Sequence, residues 1–128
     1  MKHEIIGGAL CLADGKTLPL SKAVRAGDFV FVCGQLGLTA SGQLVGNTIE
    51  AQTRQALQNI GAILSQAGAD YSHVIKSTVW LVDRRYFARF NEIYAEYFPH
   101  QPPARSTVIS DLVFDGALVE IEAIAYAP

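Results

Sequence analysis

Two charged residues sit in strand-like segments that are otherwise apolar. Arg105 follows Pro102-Pro103-Ala104 and opens the run Arg105–Ile109, and Glu120 lies inside Ala117-Leu118-Val119-Glu120-Ile121-Glu122-Ala123-Ile124-Ala125. A charge in such a strand either meets water at an exposed edge or is buried with a partner, because an ion stripped of water is costly. The two-residue period of a strand puts Leu118, Glu120, Glu122, Ile124 and Tyr126 on one face and Val119, Ile121, Ala123 and Ala125 on the other. In one reading Glu120 and Glu122 decorate a solvated face, with Arg105 as their ion-pair partner. The other reading is chemical. A guanidinium binds a carboxylate through two parallel hydrogen bonds and so fixes a small acid in place. A partly desolvated Glu has a raised pKa and passes a proton to or from water. Together the pair suits hydrolysis of a small carboxylic acid.

The elements that must position these residues are legible from periodicity and punctuation. The chain of 128 residues has the length of one domain, 1–128, with one core. Residues 1–22 read as a short strand and a loop that includes Pro19. Phe29-Val30-Phe31-Val32-Cys33 reads as a buried strand, followed by Gly34, Gly37 and Ser41-Gly42 as a loop or hairpin. A helix is expected from Thr48 to Ala67, with Asn47 and Glu50 at capping-box spacing and Gly68 as its stop. Its apolar stripe includes Ile49, Ala56, Leu57, Ile60, Ile63 and Leu64. Val74–Val82 reads as a central strand, partly apolar on both faces. Asp83 is placed to cap a second helix, Arg84–Phe98, with a stripe of Phe87, Phe90, Tyr94 and Tyr97 or Phe98, stopped by Pro99. Strands Arg105–Ile109 and Ala117–Tyr126 follow, with Asp115-Gly116 as the turn before the second. The fold class is α+β: one sheet with two helices on one face. The other face then needs a cover, and with only 17% charged residues against 50% hydrophobic, a homo-oligomer supplies it.

Several function classes drop out. A net charge of −2 with no Lys/Arg cluster gives no electrostatic footprint for a nucleic acid. No apolar run approaches the ~20 residues of a membrane span, and no signal peptide is read at the N-terminus. Cys11 and Cys33 form no CxxC, and with His3, His73 and His100 scattered there is no metal pattern. Cys33 reads as a buried free thiol, and the cytoplasm as the compartment. Trp80 is expected in the core, Arg84, Arg85 and Arg89 on a solvated helix face, and the glycines make no phosphate loop.

The stretch Pro103-Ala104-Arg105-Ser106-Thr107-Val108, followed by Leu118–Ala125, resembles the signature of the reactive intermediate deaminase (Rid, YjgF-like) family. Val32-Cys33-Gly34-Gln35, Ala51–Leu57, Lys76-Ser77-Thr78-Val79 and Asn91-Glu92-Ile93-Tyr94 match in the same order, so the resemblance runs from about residue 18 to the end. It implies a fold like the bacterial chorismate mutase trimer, with active sites in clefts between subunits and no cofactor. It implies hydrolysis of enamines and imines, such as 2-aminoacrylate and its imine tautomer, to a 2-keto acid and ammonia. By the same resemblance Arg105 holds the substrate carboxylate with help from the backbone N–H of Thr107, Glu120 positions or activates the attacking water, and Asn91 belongs to the site.

Three substrate-side positions depart from the family pattern. Leu20 stands after Pro19 where many members have Tyr, Cys33 stands before Gly-Gln where many have Ser, and Thr107 stands where many have Cys. Two other functions fit the same residues less well: a non-catalytic trimer that binds a small carboxylate or acts as a holdase, and an endoribonuclease, which would want a basic track along the phosphates.

Overall fold

The computed structural model describes residues 3–128. Six strands form one mixed sheet: β1 (Glu4–Cys11), β2 (Thr17–Ala26), β3 (Phe29–Leu36), β4 (Val74–Leu81), β5 (Ala104–Ile109) and β6 (Val119–Tyr126), in the spatial order β1-β2-β3-β6-β4-β5. All neighbours are antiparallel except β4 and β5, whose parallel pairing requires a crossover. Helix α2 (Phe87–Tyr97) makes that crossover, and α1 (Ile49–Gln66) joins β3 to β4.

Both helices cover the same face. That face carries Val30 and Val32 of β3, Val79 and Leu81 of β4, and Val119, Ile121, Ala123 and Ala125 of β6, all buried. Leu57, Ile60 and Leu64 of α1 and Phe90 and Tyr94 of α2 close the core above them. Each such side chain contributes roughly 1.5–3 kcal/mol by leaving water. The face of β6 that carries Glu120, Glu122, Ile124 and Tyr126 has no helix over it. There Phe29, Phe31 and Tyr126 remain exposed, and Phe29 packs against Tyr126 with ring centroids 5.3 Å apart.

Four local expectations need correction. The N-terminal segment is a full hairpin, β1 and β2, rather than a short strand and a loop. Pro19 lies inside β2, but β2 pairs with β3 only from Ala23 onward, so its missing N–H costs no ladder bond on that side. Thr48, not Asn47, caps α1, its hydroxyl accepting from the Ala51 N–H at 3.2 Å. Asp83 caps a short 3-10 turn, Arg84–Tyr86, and α2 proper starts only at Phe87, which is itself largely exposed. Trp80 is half-buried on the uncovered face, because Val79 and Leu81 take the core side of β4.

The stop of α1 holds as expected. Gly68 adopts a φ of +74°, its N–H bonds to Ser65 O, and the Ala69 N–H bonds to Leu64 O, the paired closure of a left-handed helix end.

Candidate functional site

Arg105 lies on β5, the edge strand, opposite Ser77 in the parallel ladder. Ser77 is in the core, so Arg105 projects to the helix-covered side, under α2. Its Nη2 donates to Asn91 Oδ1 at 2.8 Å. Its guanidinium carbon stands 4.8 Å from the Tyr94 ring centroid, 5.4 Å from that of Phe90 and 5.7 Å from that of Phe87. Aromatic faces attract a cation, and a guanidinium is weakly hydrated enough to leave water for them. Among the described residues Asn91 engages one of its five N–H donors, which leaves a fork to clamp a carboxylate. Thr107 stands two residues further along β5 on the same side, half-buried, opposite Val79.

Glu120 belongs to the other face. Its ladder neighbours are Trp80 on β4 and Leu36 on β3. A bulge in β3 sets two residues, Cys33 and Gly34, against the single Glu122, between the pairs Val32–Ala123 and Gln35–Ile121. The bulge brings the Gly34 backbone against the Glu120 carboxyl: a Cβ there would lie 2.9 Å from Glu120 Cδ and overlap Oε2. Burial pushes the Glu120 pKa up, and the neighbouring Glu122 charge adds to the rise. No side-chain hydrogen bond from the described residues reaches this carboxyl, so its proton is not committed elsewhere in the protomer.

Cys33 is half-buried beside Glu120. Burial raises its thiol pKa, which outweighs the opposing hydrogen bond from Gln35 Nε2 to Sγ at 3.2 Å. A thiol held protonated is a poor nucleophile. Leu20 on β2 is 41% exposed and lies on the far side of β3, β6 and β4 from Arg105.

The structure therefore brings together Arg105, Asn91 and Thr107 at one sheet edge, and Glu120 with Cys33 and Gly34 on the open face. It does not join Arg105 to Glu120 within a protomer. Within a protomer the ion pair of Arg105 with Glu120 or Glu122 is overturned, because these residues project from opposite faces of the sheet.

Two supports escaped the sequence reading. Gln52, fully buried on α1, donates to Gly46 O and Gly116 O and accepts from the Leu118 N–H, tying together the loops before α1 and before β6. Phe87, Phe90 and Tyr94 were legible as a helical stripe, but their role as a wall for Arg105 depends on the crossover that lays α2 over β5. The one available signal was the placement of Asn91 between Phe90 and Tyr94 on the same helix.

The architecture is an α+β domain with an arginine at the sheet edge under a helix and a half-buried glutamate on the open face. The chain belongs to the reactive intermediate deaminase (Rid, YjgF-like) family: the family model described as endoribonuclease L-PSP matches residues 15–127. It is 48% identical over 109 residues to a RutC family protein of Pyrococcus horikoshii, covering 84% of this chain and 86% of that one. It is 40% identical over 114 residues to the human protein named 2-iminobutanoate/2-iminopropanoate deaminase, covering 88% of this chain and 83% of that one. The solved structure of the Rid-family protein YyfA from Yersinia pestis superposes with a TM-score of 0.88 at 37% identity, over 98% of this chain and 100% of that chain.

Proposed function

We propose that the chain hydrolyses small enamines and imines of 2-amino acids to 2-keto acids and ammonia. The observation that carries this reading is the Arg105 cradle: a guanidinium fixed by Asn91 and three aromatic rings, with donors left free. A human relative named as an imine deaminase, 40% identical, supports the same activity. Arg105 clamps the substrate carboxylate, and an outward N–H of edge strand β5 at Thr107 adds a second donor. Glu120 removes a proton from water as its oxygen adds to the protonated C=N carbon. That proton then passes to the nitrogen, and as the C–N bond breaks Glu120 takes the proton of the new hydroxyl, so that ammonia leaves and the carbonyl forms. An enamine enters the same path after gaining a proton at carbon. No nucleophile from the protein is needed, and the chemistry is orientation plus proton transfer.

The opposite faces of Arg105 and Glu120 support a site shared between subunits. Packing the open face of one copy against its neighbour in a homotrimer covers Phe29, Phe31 and Tyr126. It also carries the Glu120 of one copy toward the Arg105 edge of the next. Leu20 and Cys33 join the Glu120 half, where Leu20 supplies apolar surface for the substrate side chain. Cys11 and Cys33 are free thiols, which suits the reducing cytoplasm in which we place the protein. No helix among the described residues is long and apolar enough to cross a membrane. The ribonuclease reading gains little support. Arg54, Arg85 and Arg89 are paired with Glu96, Asp83, Glu50 and Glu92, which works against a continuous cationic track.

The test generates imino acids with an amino-acid oxidase and traps the survivors with semicarbazide. Faster loss of trappable imine with wild type than with Arg105→Ala supports the deaminase. Equal rates at every side chain tested sink it. A carboxylate-binding protein without turnover is favoured by one feature, the absence of a hydroxyl at Leu20; it would bind a 2-keto acid in calorimetry yet accelerate no imine hydrolysis.

A further inference from the structure

Behind Arg105 lie two hydroxyls that the proposed reaction does not use. Ser77 Oγ and Tyr94 Oη are 2.6 Å apart, Ser77 is 1% exposed and Tyr94 5%. Burying two hydroxyls in an apolar core gains little over two apolar groups of the same shape, and losing one of the pair costs more than losing both. Their location gives them a use. Ser77 is the ladder partner of Arg105, so the hydroxyl bond crosses from sheet to helix at the register of the guanidinium. Tyr94 is also the ring closest to that guanidinium, and it shares α2 with Asn91, Phe87 and Phe90.

Apart from the Asn91–Arg105 bond and the rings around the guanidinium, which are the contacts to be positioned, what holds α2 to the sheet near this point is apolar packing. Apolar contact sets how close a helix lies, but it is not directional and resists sliding or rolling weakly. A hydrogen bond fixes its atoms to within a few tenths of an ångström. A slide of α2 by ~1 Å, the scale at which positioning fails, would take Asn91 Oδ1 out of reach of Nη2 and turn the aromatic wall away, loosening the grip on the carboxylate.

We propose that the Ser77–Tyr94 hydroxyl pair is the positioning device for Arg105, locking α2 to β4 so that the guanidinium fork is presented to the substrate carboxylate. The inference rests on the reading of Arg105 as the carboxylate clamp. Neither Ser77 nor Tyr94 needs to touch the substrate. Burial raises the Tyr94 pKa, so its hydroxyl stays protonated and the bond persists through neutral pH.

The experiment compares Ser77→Ala, Tyr94→Phe, the double variant and Arg105→Ala with wild type. It reads KM and kcat for imine hydrolysis, the Kd of the 2-keto acid product by calorimetry, and stability in urea. Each single variant strands one buried hydroxyl and loses stability. The double variant strands none and regains most of it, so misfolding does not confound the result. Positioning expects KM and Kd in the double variant to remain raised by about ten-fold, because the directional link is still missing, with kcat falling far less. A double variant with wild-type KM and Kd, beside an Arg105→Ala that loses both, overturns the inference alone. An Arg105→Ala that keeps wild-type KM and Kd overturns the clamp itself and this inference with it.

Discussion

In the proposed reaction Glu120 acts as a base where its charge is disfavoured. Burial and the Glu122 carboxylate both raise its pKa. The acidic limb of kcat/KM is therefore expected above the range of an ordinary glutamate, and Glu122→Gln should move it down by removing one of the two causes; a pH profile of both proteins decides. Stability follows with a definite sign. A folded-state pKa above the unfolded one means that the fold prefers the protonated acid. Its contribution is fully present below the unfolded pKa and is lost as pH rises through the folded pKa. At pH 7 Glu120→Gln should thus be at least as stable as wild type while losing turnover, and its advantage should shrink in acid, as thermal melts at two pH values would show. Gly34 is the steric counterpart. An Ala methyl there collides with the end of the Glu120 side chain, which can swing away, so Gly34→Ala should fold and still lose at least ~10-fold in kcat. Wild-type kcat in Gly34→Ala would mean the carboxyl has no fixed post.

At the scale of elements, the parts that were legible rest on local signals that tertiary packing had no reason to override. The stripe of α1 and its glycine stop were of this kind. The cap was displaced by one residue because Asn47 and Thr48 are both competent, and only the path of the incoming loop chooses between them. The hairpin of β1 and β2 was obscured by Pro19, whose tolerance depends on how far β3 extends beside it. Trp80 was misassigned because β4 is apolar on both faces, and which face meets the helices is a property of the whole sheet. Gln52 shows the same limit: a glutamine on a helix reads as surface until the loops at Gly46 and Gly116 close over it. Its replacement by Leu would orphan two carbonyls and the Leu118 N–H. That should cost about 3 kcal/mol in urea unfolding, since each stranded buried group costs roughly 1–3 kcal/mol and water recovers part of it. A loss under ~0.5 kcal/mol would mean these loops are solvated.

At the scale of the molecule, the candidate site was legible as residues and not as a place. Arg105 and Glu120 were visible as charges out of character with their strands, and strand parity put Glu120 on the face it occupies. What the chain could not reveal was that β5 pairs parallel to β4 and turns Arg105 the other way, under α2. In the proposed shared site each protomer carries two halves, Arg105 on one face and Glu120 on the other. Arg105→Ala and Glu120→Gln should each be inactive alone, for different halves. If the two are unfolded together and reassembled in equal amounts, some interfaces join an intact Arg105 to an intact Glu120. Random assembly in a closed ring makes that about one interface in four, whatever the ring size, so roughly a quarter of wild-type turnover should return. A site held within one protomer would recover nothing, because every chain in the mixture lacks one of its two groups. Adding Phe31→Asp to both chains buries a charge in the proposed interface; sedimentation should then show monomers, and the recovered quarter should vanish with the assembly. Recovery that survived in monomers would mean that turnover does not need Arg105 and Glu120 to meet across this interface, and would overturn the shared site.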